Sequence, residues 1–145
     1  MKKPVSIFYL LFLVFILGVQ KNAFAQVVAE DEQPYVLSTQ MPEYPGGSEA
    51  MMEFIQNHLA YPEAEKKANI QGTITMQFIV EKNGTLSNIL ALKSITGGAN
   101  LEKEAERVIK LMPKWKPGMQ DGHNVRVYKN VPFYFVLAKR KKHHK

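Results

Sequence analysis

VRVYKNVPFYFVL, residues 125–137, decides how the rest of the chain must be arranged. Val125, Val127, Val131, Phe133, Phe135 and Leu137 recur at period two, with Lys129 alone breaking the row, which is the pattern of a half-buried strand. Arg126, Tyr128, Asn130, Pro132 and Tyr134 take the alternate positions. A proline cannot donate to a sheet ladder, so Pro132 predicts an edge strand, or a bulge, rather than a central strand. An edge leaves backbone N–H and C=O groups unpaired, and these are either covered or offered to an extended peptide.

The strand needs partners, and the sequence ahead of it supplies two. Ile74, Met76, Phe78 and Val80 alternate with Thr73, Thr75 and Gln77, a second half-buried strand. Asn83-Gly84 follows, the strongest short signal for a type I′ hairpin, and residues 86–95 return antiparallel. Thr96-Gly97-Gly98-Ala99-Asn100 is loop chemistry, and Asn100 can cap a helix. Leu101, Ala105, Val108, Ile109 and Met112 form one stripe of that helix, suited to cover a sheet, and Pro113 ends it. Trp115, fixed between Pro113 and Pro117, reads as a buried plug at the end of the sheet, and Asp121-Gly122 turns the chain into the last strand.

Upstream, Met41-Pro42-Glu43-Tyr44-Pro45-Gly46-Gly47 is turn chemistry and opens the domain. Ser48 is the expected cap of a helix ending near Leu59, with Met51, Phe54, Ile55 and Leu59 on its apolar face. Tyr61-Pro62 ends that helix and starts a short one to about Ala68. The fold class is therefore α+β: a three-stranded antiparallel sheet with helices on one face, the last strand beside the first.

The 145 residues suffice for one domain once a leader is removed. Lys2 and Lys3, an apolar run over 5–19 and Ala23-Phe24-Ala25 form the pattern of a secretory signal peptide cut after Ala25. The competing reading is an uncut anchor, but a helix over 5–19 rises roughly 22 Å against a hydrocarbon core of roughly 30 Å. The expected organisation is a leader over 1–25, a flexible lead-in over 26–40, the domain over 41–138 and a basic tail over 139–145. There is no cysteine, so no disulfide can hold the fold in an oxidising compartment.

The formal charge of +6 does not mark a nucleic-acid surface. Of the 19 basic residues, three leave with the leader and five belong to the tail, so 11 remain against 13 acidic ones. Membrane contact is expected only through the leader or the tail. Catalysis and metal binding are not expected either. Four histidines without cysteine give no ligand spacing, and no glycine-framed nucleophile supports a triad of Ser48, His58 and Glu63. No cofactor is expected. The second binding reading is recognition of a cell-wall glycan or another periplasmic protein, or self-association through the open edge as an edge-strand homodimer.

Tyr61-Pro62, then Ala64 and Ala68, Gly72 opening a strand with Phe78 and Val80, Asn83-Gly84, and Trp115-Lys116-Pro117-Gly118 ahead of residues 125–137 resemble the C-terminal domain of TonB. Tyr44-Pro45-Gly46-Gly47 resembles the form common in Bacteroidetes, and the likeness spans residues 41–137. The resemblance implies the order αββαβ and a periplasmic module that binds the N-terminal box of outer-membrane receptors by strand addition, in energy-coupled transport. Carried over by position, the receptor peptide would lie along Arg126, Val127, Tyr128, Lys129, Asn130 and Val131, with Tyr61 and Pro62 near it. Ala60 stands where many members carry a ligand-touching glutamine. Residues 5–19 hold no histidine and no long Pro-rich spacer follows, so the expectation is the domain alone, exported.

Overall fold

A computed structural model describes residues 33–137. The leader over 1–25, residues 26–32 of the lead-in and the tail over 139–145 lie outside the described residues. The elements are α1 (Gly47–His58), α2 (Glu63–Lys67), β1 (Gly72–Val80), β2 (Leu86–Lys93), α3 (Ala99–Leu111), β3 (Gly118–Gln120), β4 (His123–Val125) and β5 (Val127–Phe135). β2, β1 and β5 form one antiparallel sheet in that order, and β3 pairs with β4 as a separate hairpin.

The alternation seen in the sequence becomes the core. Ile74, Met76, Phe78 and Val80 of β1 are buried with Val131, Phe133 and Phe135 of β5, under Leu101, Ala105, Val108 and Ile109 of α3 and Ile55 of α1. Each of these side chains larger than alanine contributes roughly 1.5–3 kcal/mol on burial, which is the source of stability in a chain without disulfides. Trp115 is the plug expected of it: 3 % exposed, it meets Phe78 and Tyr44 edge-on with ring centroids 5.4 and 5.6 Å away.

Four local expectations are corrected. Ser48 caps nothing; Gly46, at φ 86°, occupies the cap of α1 because the preceding turn needs a left-handed residue there. Asn100 lies inside α3, whose cap is Gly98, and the N-terminus of α3 is served instead by Glu65 of α2. The Glu65 Oε1 atom accepts from the Asn100 backbone N–H at 3.3 Å and from its side-chain amide at 2.8 Å. Asn83-Gly84 does not form a type I′ turn, since only Gly84 has positive φ; the Gly84 N–H donates to Glu81 O and the Glu81 N–H to Thr85 O, a three-residue loop with a bulge. The two-residue turn with both φ positive is instead Asp121-Gly122, at 50° and 81°.

That turn accounts for the fourth difference. It folds residues 123–125 back on β3, so the strand expected over 125–137 is broken at Arg126 and only β5 joins the sheet. The Arg126 guanidinium is held there by Glu81, with N···O distances of 2.8 and 3.1 Å.

Candidate functional site

β5 pairs with β1 through nine consecutive positions, Gly72↔Phe135 to Val80↔Val127, without a register break. β2, at the other edge, is irregular: its register with β1 shifts twice and Asn88 sits at φ 47°. Bulges twist an edge away from further pairing, whereas a straight edge invites it. The edge able to accept a strand is therefore that of β5.

Parity fixes which groups face outward. The Tyr128 N–H donates to Tyr35 O at 2.9 Å and the Tyr35 N–H to Arg126 O at 2.7 Å, so even-numbered residues of this strand point their backbone groups away from β1. Pro132 is one of them, so its missing N–H falls on the outer side and costs the sheet no bond. Edge position was the sequence-based expectation for this proline, and the sheet order agrees. Among the described residues, no backbone group pairs with the outer edge beyond Tyr128. From Asn130 to Tyr134 the rail offers two N–H groups and three carbonyls, flanked by the 55 %-exposed Tyr134.

The residues singled out from sequence divide along this rail. Arg126 spends its guanidinium on Glu81 and its carbonyl on Tyr35. Val127 and Val131 are buried and, being odd-numbered, direct their backbone groups to β1, so they offer the outer edge neither side chain nor hydrogen bond. Lys129, on the inward row, lines a cavity of about 50 Å³ with Glu43, Tyr44, Ser48 and Trp115. The Trp115 Nε1 donor is buried without a partner. Asn130 is exposed and accepts from Gln77 across the open face of the sheet at 3.0 Å.

Tyr61 is placed at the other end. Its ring stands edge-on to Phe135, centroids 5.6 Å apart, and its hydroxyl donates to Ile70 O. Burial, then the nearby Glu65 carboxylate, push the phenol above its ordinary range. At about 3.3 Å per residue, Phe135 is roughly 20 Å along the strand from Lys129, so Tyr61 and Pro62 flank the C-terminal end of β5 rather than residues 126–131. A clip from α3 holds that turn. Glu104 accepts the Ala60 N–H at 2.8 Å, and Arg107, bonded twice to Glu104, donates to His58 O at 2.7 Å. The Arg107 guanidinium holds the Glu104 carboxyl below the usual carboxylate range. Arg126 does the same for Glu81.

Sequence reasoning missed Tyr35, the β3–β4 hairpin and this clip. Tyr35-Val36-Leu37, a short apolar run after Pro34, was the available signal for the first. His58 stacks on Phe54 at 4.0 Å and bonds its carbonyl, and among the described residues no group of three or more His, Cys, Asp or Glu could hold a metal. No helix of the described residues is long and apolar enough to cross a membrane.

The model of the family described as "Gram-negative bacterial TonB protein C-terminal" matches residues 57–137. Among solved structures, the C-terminal domain of Pseudomonas aeruginosa TonB is 20 % identical, with 57 % of this chain and 81 % of that one covered at a TM-score of 0.45. The corresponding domain of Helicobacter pylori TonB is 17 % identical, with 66 % and 89 % covered at a TM-score of 0.44. No curated protein matches the chain.

Proposed function

Since the chain belongs to the family of TonB C-terminal domains, a family that interacts with outer-membrane receptors, we propose that it binds the N-terminal segments of such receptors by strand addition. The bound segment lies against the outer edge of β5, in the periplasm, as a link in energy-coupled transport. The observation that carries this reading is the straight edge of β5, whose backbone groups from Asn130 to Tyr134 pair with none of the other described residues on the outer side. Tyr128, Lys129, Asn130 and Val131 border the peptide, Arg126 and Val127 mark where the edge begins, and the turn at Tyr61 and Pro62 flanks its far end. Export rests on the leader pattern over 1–25, so the working chain begins at Gln26.

The energetics fit a transient complex. Five or so backbone bonds at roughly 0.5–1.5 kcal/mol each must offset an association cost of roughly 4 kcal/mol or more. Exposed Tyr134 and Val136 beside the rail add apolar contact. The test is a titration of the ¹⁵N-labelled chain with synthetic peptides copied from the N-termini of outer-membrane receptors of the same genome. The amides of Asn130 and Tyr134 are expected to move most, and shifts confined to α1 and α3 would overturn the proposal. Sedimentation at two concentrations separates peptide binding from pairing of two copies through the same edge.

A further inference from the structure

The occupied end of the β5 edge is closed by the chain itself. Tyr35 pairs with Val127 in parallel, and the segment then leaves the edge and crosses β3, where Gln40 exchanges two bonds with Met119 at 2.9 and 3.0 Å. Between them the Thr39 N–H and hydroxyl both donate to Gln120 Oε1, at 3.0 and 2.9 Å. Gly118 lies directly beneath: a Cβ there would stand 2.5 Å from Val127, 3.1 Å from Gln40 O and 3.2 Å from the Ser38 hydroxyl. The space for the strap thus depends on a glycine in β3.

The strap is seated yet lightly held. Its two largest apolar residues after Tyr35 bury little, Val36 being 74 % and Leu37 78 % exposed. The firm anchorage begins at Gln40 and continues at Glu43, which exchanges two bonds with Lys116 at 2.9 and 3.0 Å. Residues 34–39 can therefore swing off the edge while the chain beyond stays in place. The short tether keeps the strap at an effective concentration of roughly millimolar or above, so a weak contact suffices to keep it closed.

We propose that residues 34–39 are an intramolecular competitor for the docking edge: they cover its Arg126–Tyr128 end, and a peptide using the whole edge must displace them. This inference rests on the edge being a peptide-docking site. A strap closed four-fifths of the time lowers a competing ligand's apparent affinity about five-fold.

Two measurements on the full chain test it. Without peptide, the Tyr128 amide should exchange about five-fold more slowly than those of Asn130 and Tyr134, and Tyr35→Pro, which deletes the donor to Arg126, should abolish the difference. Equal rates in the unmodified chain overturn the strap. With the receptor peptide that moves Asn130 and Tyr134, Tyr35→Pro should bind at least five-fold more tightly. Gln120→Ala, which removes the acceptor of both Thr39 bonds, should shift affinity the same way, and unchanged β1 resonances certify both variants as folded. A Tyr35→Pro gain under five-fold overturns the strap and leaves edge docking standing, whereas no peptide binding to any variant overturns both.

Discussion

Gly84 has no side chain because Trp115 occupies the space one would need. A Cβ at Gly84 would overlap the Trp115 carbonyl oxygen, the Gly84 carbonyl accepts the Trp115 N–H at 2.9 Å, and φ is 83°. The hairpin turn is therefore tied to the plug of the core at its backbone. Replacing Gly84 by alanine imposes a left-handed conformation worth roughly 1–3 kcal/mol of strain, with the clash in addition. Gly84→Ala is expected to destabilise the chain by at least that much, read as a lower urea midpoint at unchanged slope. Asn83-Gly84 was legible as a turn from sequence alone; that it is bulged and bonded to Trp115 was not, because the reason is a contact with residues some thirty positions away.

At the scale of the element, β5 shows how a proline can sit inside a nine-residue strand. Its missing donor points outward, so the ladder to β1 is complete and the edge is blunted at one position. Pro132→Ala restores a row of outward N–H groups without adding a bond to β1. Stability should change by no more than about 1 kcal/mol, the usual effect of proline on the unfolded chain. Self-association should rise, visible as a concentration-dependent sedimentation coefficient absent from the unmodified protein. The alternation of residues 125–137 revealed the strand and its face. It did not reveal the break at Arg126, which comes from the turn at Asp121-Gly122 and the pairing of Arg126 with Glu81.

At the scale of the whole molecule, two arginine-paired carboxylates of the described residues join elements distant in sequence. Glu81 holds Arg126 at the start of β5, and Glu104 with Arg107 holds the turn before Tyr61. Both carboxyl groups titrate below their ordinary value, mainly through hydrogen bonds from the arginines. A carboxylate depressed in the folded state contributes stability that is present above its unfolded pKa of about 4.3 and lost as pH falls through the folded value. The thermal midpoint should therefore hold from neutral pH to about pH 5 and fall below about pH 4. Glu81→Gln and Glu104→Gln should each flatten that fall, which a pH series of melting curves would show.

The sequence by itself determined the sheet, its helical cover, the tryptophan plug and the edge position of the last strand, because period-two and helical patterns and a proline's missing donor are local facts. Only the tertiary structure decided how much of that edge is vacant. Which backbone groups Tyr35 covers, what room Gly118 leaves beneath the strap, and why Tyr61 stands by Phe135 rather than Lys129 all depend on residues brought together from far apart in the chain. No periodicity encodes such meetings, since each is set by packing rather than by the neighbours of a residue in sequence.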